Sequence, residues 1–320
     1  MTHVYTEEGE PQFHLTDAEA KENGMYFSVT EHQKILAKPA LNQWLLGKHL
    51  EYAYRNPPRL GEGLQAYIRR IKQEVRNNGG GPAILGTKIH AALESVFRLE
   101  QAKQKAKEGD WVEEEIIDDS MKSLDQLDPE MRSYASPVLR WLKDKKFQIL
   151  EVEAQVVLKE EAVAGTVDLA VLTQSGQKCI IDHKSRKTKG RKIISYQEHP
   201  AQCAAYAAAY FGPDAVKNKE CYACNTIIST DEKTKDGEAR FSVITYTPEE
   251  VAFHYETFQM TCELWRRSND YDPRQTVTSA TVSIPPTSEV GGNTTTPSTP
   301  MNKGKKANSQ ASQKPKGGKK

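Results

Sequence analysis

The stretch from Gly165 to Lys184 restricts the fold of this chain more than any other. It reads as two short apolar runs, Val167 to Leu172 and Lys178 to Ile181, parted by Thr173-Gln-Ser-Gly-Gln177 and ending in Asp182-His-Lys184. Two such runs around a small polar break predict a β-hairpin. A strand alternates faces with period two, so Asp182 and Lys184 project to one side and His183 to the other. A carboxylate and an ammonium side by side at the end of an apolar strand can hold a divalent cation and face an attacking water with positive charge.

The loop length decides whether Asp168 joins them. A three-residue loop, Gln174-Ser175-Gly176, puts Gly at the left-handed position of a type I turn with a G1 bulge. Thr173 then pairs with Gln177, and counting back along the ladder sets Asp168 opposite Asp182. Directly opposite side chains have Cβ atoms roughly 4.5–5.5 Å apart, and two carboxylates that close repel unless a cation or proton lies between them. Leu169 with Ile181 and Val171 with Cys179 would fill the reverse face. A two-residue Ser175-Gly176 turn would shift the register by one and send the two Asp to opposite faces.

Elsewhere the chain reads as alternating helices and strands. Ser28-Val-Thr30 is a helix start, with Pro39 breaking or restarting the helix that carries Leu41, Trp44 and Leu45. A helix near Leu64–Val75 stops at Asn77-Asn-Gly-Gly-Gly81. The next, from about Thr87 to Lys105, has a buried stripe of Ile89, Leu93, Val96 and Phe97 with His90 and Glu94 stacked at its edge. Glu113–Asp119 reads as a solvated acidic loop or helix face. A helix over Pro129–Lys145 precedes a strand over Phe147–Leu158, with Leu150, Val152, Ala154 and Val156 on one side and Glu151, Glu153 and Gln155 on the other. An Ala-rich helix over Pro200–Tyr210 puts Gln202 and Tyr206 on one face. Strands near Cys221–Ser229 and Phe241–Tyr246, joined by a charged turn over Asp231–Glu238, lead to a final helix from Pro248 to about Arg267. This order predicts one mixed α/β domain, a central β-sheet flanked by helices.

Charge is informative locally. The formal net charge of the 320 residues is only +1, which gives no global argument for a polyanionic partner. Lys184 to Lys192, however, holds six cations in nine residues. Beside a metal-binding face, Arg186, Lys187, Lys189, Arg191 and Lys192 become a phosphate clamp. Val290 to Lys320 carries seven Lys and no acid and is expected to be a disordered, solubilising tail. The first 27 residues hold six acids and one Lys, unlike a secretory or transit leader, and no run is long enough to span a membrane. Five Cys, an odd number without a small-domain framework, fit a reducing compartment. Cys221 and Cys224, three apart on a strand, face opposite ways and read as structural rather than zinc or iron–sulfur ligands.

Four segments in order, Gly86-Thr-Lys-Ile-His90, Gly165-Thr-Val-Asp168, Ile180-Ile-Asp-His-Lys184 and Gln202-Cys-Ala-Ala-Tyr206, resemble the RecB-like branch of the PD-(D/E)xK nuclease superfamily. Ser28-Val-Thr30 with Lys38-Pro-Ala-Leu-Asn-Gln-Trp44, and His199-Pro-Ala before Gln202, look like its phage-type and mitochondrial genome maintenance exonucleases. The likeness covers roughly residues 26 to 267.

The resemblance implies a restriction-endonuclease-like core and metal-dependent hydrolysis of DNA, as an exonuclease in replication, recombination or end processing, leaving a 5′-phosphate and a 3′-hydroxyl. His90, Asp168, Asp182 and the His183 backbone carbonyl would bind Mg²⁺ or Mn²⁺, with Glu153 acting through water or behind the ligands. Lys184 would stabilise the attacking hydroxide and the phosphorane, while Gln202 and Tyr206 would orient Lys184 or touch the DNA backbone. The Cys quartet that carries an iron–sulfur cluster in some relatives is missing, so none is expected. DNA is the implied partner, with a single-strand annealing or binding protein as a second, in the cytoplasm (of a bacterial host if phage-encoded). The expected layout is a loosely held 1–25, a nuclease domain over 26–270 with a helical part to residue 80, and a basic tail over 271–320.

Overall fold

A computed structural model describes residues 3–36, 38–78, 81–107 and 121–275. The acidic segment 113–119 and the tail beyond residue 275 lie outside them. Nine helices are described: α1 (Asp17–Glu22), α2 (Val29–His32), α3 (Pro39–Arg55), α4 (Leu64–Asn78), α5 (Gly81–Lys107), α6 (Pro129–Asp144), α7 (Glu198–Phe211), α8 (Pro213–Lys217) and α9 (Pro248–Asn269). The strands are β1 (Val4–Tyr5), β2 (Pro11–Gln12), β3 (Tyr26–Ser28), β4 (Gln148–Leu158), β5 (Val163–Leu172), β6 (Lys178–Arg186), β7 (Cys221–Lys233) and β8 (Ala239–Tyr246). They form one mixed sheet in the order β2-β1-β3-β5-β6-β7-β8, with β4 also pairing β5.

Each face of the sheet carries its own core. Leu169, Val171, Cys179 and Ile181 pack with Ile89, Leu93 and Phe97 of α5 and with Val138 and Leu142 of α6. Val167, Ala170, Ile180 and Ala223 pack under α7 and the Val251, Tyr255 and Phe258 side of α9. Because the inward side chains of α7 are mostly Ala, its backbone can lie close to the strands. Local signals start α6 and α9 where the sequence placed them, whereas α5 begins at Gly81, ahead of the expected Thr87. Asp128 accepts the Met131 N–H ahead of Pro129, and Thr247 and Glu250 form a reciprocal capping box around Pro248.

The hairpin follows the three-residue loop. Thr173 donates to the Gln177 carbonyl, Gly176 takes a left-handed φ of +79°, and the rungs run Leu172–Lys178, Val171–Cys179, Ala170–Ile180 and Leu169–Ile181.

Four expectations need correction. Residues 3–25 are not loosely held: β1 pairs β2 and β3, β3 runs parallel to β5, and Val4, Tyr5 and Ala20 are buried. The polarity of this segment sits in the exposed β1–β2 connection, with Glu7, Glu8 and Glu10, and on α1, where Asp17 and Glu19 suit the helix N-terminus. Second, β4 does not keep one apolar side. Val152 joins the α5–α6 core while Ala154 joins the α7–α9 core, because Glu153 between them adopts a left-handed φ of +52°. Third, β7 continues to Lys233, so the turn is confined to Thr234–Glu238. Fourth, α8 follows α7 across Gly212, whose φ of +94° suits glycine.

Candidate metal-dependent active site

A row of polar side chains crosses the middle of the sheet. The β4–β5 rungs Val152–Leu169 and Ala154–Val167 leave Glu153 opposite Asp168. The β5–β6 register, continued one step past Leu169–Ile181, leaves Asp168 opposite Asp182. The parallel β6–β7 pairing then sets Asp182 beside Asn225. Three adjacent strands thus present three carboxylates in line, and the fourth presents an amide.

The β5–β6 ladder ends at this row. Beyond it the Asp168 carboxylate takes the next backbone donor, with His183 N to Asp168 Oδ2 at 2.6 Å. Gly165, three residues earlier, is bare for a packing reason. A Cβ there would lie 2.9 Å from Cε1 of Tyr206, so α7 can lay its tyrosine against β5 only over glycine.

His90, Glu153 and Asp168 have ligand atoms within 4.8 Å of one another. His90 reaches the row from α5, its Nδ1 3.7 Å from Asp168 Oδ2. Burial, followed by the Asp168 charge, pushes Glu153 up to about 8. Burial and then Asp182 push Asp168 up to about 6. Carboxylates this crowded repel one another when ionised, and a proton or a cation between them relieves that repulsion. One imidazole with two carboxylates fits a divalent cation.

Asp182 stands outside that close trio. Lys184 Nζ lies 2.8 Å from each of its oxygens, and Asn225 Nδ2 donates to Oδ2 at 2.7 Å. Burial works against the Lys184 ammonium, yet Asp182 and Asp168 together raise it above its ordinary value, so it stays charged. Glu153 joins His90 and Asp168 directly, while Asp182 is engaged by Lys184 and Asn225. Glu151, which a regular strand would set on the same side, lies toward Tyr210 instead.

His183 turns away from the row, as alternation requires. Its buried ring stacks on Phe97 at 5.4 Å between centroids, and its Nδ1 lies 2.5 Å from the Thr226 hydroxyl. Burial holds it neutral, well below the usual imidazole range. Gln202 donates to the Tyr206 hydroxyl at 3.2 Å, and both side chains are buried. Glu94 pairs with Arg98 at 3.0 Å rather than orienting His90.

The basic loop leaves from the C-terminal end of β6. Arg186 is turned in: its guanidinium lies over the Tyr196 ring at 4.2 Å and donates to the Ile194 carbonyl. Thr188 pins the loop to β7, its N–H donating to Asp231 at 2.7 Å and its hydroxyl to Glu232 at 2.6 Å. Lys187, Lys189, Arg191 and Lys192 are exposed and enter no ion pair among the described residues.

Among known proteins, the profile of the PD-(D/E)XK nuclease superfamily matches residues 63–278. The chain belongs to the PD-(D/E)XK nuclease superfamily. The match runs from the start of α4 past α9 and takes in His90, Glu153, Asp168, Asp182 and Lys184. No curated protein matches. The solved structure of SSO0001 shares 13% identity over 54% of this chain and 73% of its own, with a TM-score of 0.23, too loose a superposition to carry an argument. No described helix is long and apolar enough to cross a membrane. The five cysteines are free, with Cys221 and Cys224 in opposite cores.

Sequence reasoning missed Asn225 and Tyr246. The signal for the first was a lone amide in the apolar strand Cys221–Ile228. Nothing in the sequence marks Tyr246.

Proposed function

We propose that this PD-(D/E)XK nuclease is a divalent-metal-dependent DNA exonuclease that leaves a 5′-phosphate and a 3′-hydroxyl. The observation that carries the reading is the convergence of His90, Glu153 and Asp168 within 4.8 Å beside the Lys184–Asp182 pair. His90, Asp168, Asp182 and Glu153 would hold Mg²⁺ or Mn²⁺. The His183 carbonyl would join them, since the N–H and C=O of a strand residue point to the same edge and its N–H faces Asp168. A cation there would polarise the scissile phosphate and ease deprotonation of the attacking water.

The remaining work falls to the chain itself. Lys184 supplies a fixed positive charge to the hydroxide and to the charge that grows on the phosphoryl oxygens. Burial of Gln202 and Tyr206 favours an orienting role over contact with the DNA backbone. Lys187, Lys189, Arg191 and Lys192 offer a sequence-independent grip on phosphates. Free, buried thiols suit work in a reducing cytoplasm, in replication, recombination or end processing. There a single-strand annealing or binding protein would receive the product.

The test uses single- and double-stranded DNA labelled at either end, with Mg²⁺, with Mn²⁺ and with EDTA, beside a single-stranded circle. Metal-dependent loss of ends from linear DNA, with circles intact, is expected. Cleavage that survives both Asp182→Ala and Lys184→Ala would sink the assignment, and cutting of circles would make the protein an endonuclease.

A further inference from the structure

Asp182 is held from β7 by residues outside every motif above. Asn225 is fully buried, and its amide is used at both ends. Nδ2 donates to Asp182 Oδ2 at 2.7 Å, and Oδ1 accepts from the Tyr246 hydroxyl, also at 2.7 Å. Because the Tyr246 proton is spent on Asn225, the 2.6 Å contact between that hydroxyl and Ser195 Oγ takes the Ser195 proton, in preference to the Tyr196 carbonyl at 3.2 Å. The resulting chain runs in one direction: Ser195 to Tyr246 to Asn225 to Asp182.

That direction matters. A side-chain amide can rotate by half a turn and exchange its donor for its acceptor. Turned the wrong way, Asn225 would aim an oxygen at the Asp182 carboxylate and its NH₂ at a hydroxyl that now has to accept. Tyr246 favours the productive orientation by donating to Oδ1, and buried polar groups linked this way are costly to leave half satisfied. The parallel register fixes the rest, since Asn225 is the β7 partner of Asp182. Occupying Oδ2 from the β7 side fixes how the carboxylate is turned relative to the trio on β4, β5 and α5.

We propose that Asn225 is a positioning residue for Asp182, locked in a single amide orientation by the Tyr246 hydroxyl, and that this chain sets the carboxylate geometry of the divalent-cation site. The inference rests on the metal-dependent reading above. Its far end, Ser195, lies three residues past Lys192, so the root of the basic loop and the metal-facing carboxylate share one hydrogen-bonded chain.

Mn²⁺ alone is the probe, titrated into full-length protein without DNA and followed by the electron paramagnetic resonance signal of the free ion. Tyr246→Phe removes one buried oxygen and should weaken Mn²⁺ binding about tenfold, and Asn225→Leu by about 10–100-fold, the usual cost of losing a partner behind a metal ligand. Ser195→Ala should move it in the same direction by less. Ile227→Val, equally buried on the same strand, should leave Mn²⁺ affinity unchanged, which separates positioning from general loosening of β7. If wild-type protein binds Mn²⁺ and Tyr246→Phe binds it equally well, the proposal is overturned, whether or not Asn225→Leu folds. If wild-type protein binds no Mn²⁺, the metal-dependent reading itself fails, and this inference with it.

Discussion

The backbone N–H of His183 donates to Oδ2 of Asp168 over 2.6 Å, so a side-chain carboxylate stands in for the next rung of the β5–β6 ladder. The bond ties the two halves of the candidate site together. Asp168 cannot shift without releasing the backbone between Asp182 and Lys184.

That bond predicts how Asp168 variants divide. Asp168→Asn keeps an oxygen for the His183 N–H but loses the charge, whereas Asp168→Ala loses both. Both should lower Mg²⁺-dependent cleavage by about 100-fold or more. Only Asp168→Ala should also lower the thermal midpoint, since it orphans a backbone donor at a cost of about 1–3 kcal/mol. Single-turnover cleavage and calorimetry on the two proteins measure the split, and equal midpoints would remove the structural half of the argument.

Lys184→Met keeps the length of the side chain and deletes its charge. Cleavage should fall by roughly 100–1,000-fold, the scale of losing one fixed electrostatic partner of the transition state. Mn²⁺ binding should persist, because Asp182 is then freed from its ammonium. Cleavage within tenfold of wild type at saturating metal would place Lys184 outside the chemistry.

The crowded carboxylates predict a pH dependence for the metal-free protein. Glu153 and Asp168 have folded-state pKa values of about 8 and about 6, above their ordinary 4.5 and 3.8. A raised pKa means that the folded state binds the proton more tightly. The stability linked to those protons is full below about pH 4 and is lost as pH rises through 6 and then 8. In EDTA this contribution should lower the melting midpoint from pH 6 to pH 9, and Glu153→Gln should flatten the upper part of the fall. Mg²⁺ replaces the protons, so the midpoint gained on adding it should be larger at pH 8 than at pH 6. A gain that is larger at pH 6 would contradict the assignment of these two groups.

Gly165→Ala should place a methyl 2.9 Å from the Tyr206 ring. Overpacking of this kind costs about 1–3 kcal/mol. The ring sits beside Asp182, whose charge, after burial, raises the tyrosine well above its usual range. Cleavage should therefore fall with stability. With Tyr206→Ala added, the loss should be smaller than the sum of the two single losses, a non-additive pair in a double-mutant cycle on denaturation midpoints.

The basic loop should divide by role. Changing Lys187, Lys189, Arg191 and Lys192 together to Ala should weaken binding of single-stranded DNA and flatten its salt dependence by about 0.7 per lost phosphate contact. Arg186→Ala removes a stacked, inward guanidinium, so it should loosen the loop and lower thermal stability. Fluorescence anisotropy across a salt series, beside melting curves, separates the two, and an unchanged slope for the quadruple variant would deny the clamp.

Much of the β5–β6 half of the site was legible because its cause is local. A three-residue loop with Gly at its left-handed position sets the register, and the register sets Asp168 opposite Asp182. The helix carrying His90 was legible from its stripe. Glu153 could be named but not placed, because a left-handed residue inside a strand breaks the period-two count on which any strand reading depends. Val4 and Tyr5 escaped notice for a similar reason, since strands of two residues are too short to show a period.

The sequence alone determined the hairpin, its facing carboxylates, the mixed α/β order and the cationic loop that follows them. These depend on turn chemistry and periodicity within a few residues. Only the tertiary structure decided that Glu153 joins His90 and Asp168, and that Asn225 of β7 and Tyr246 of β8 hold the Asp182 carboxylate. Those contacts join side chains from different elements, such as His90 of α5 with Asp168 of β5 and Tyr246 of β8 with Asn225 of β7. Their positions follow from strand pairing and helix packing across two cores, long-range choices that no local pattern of residues encodes.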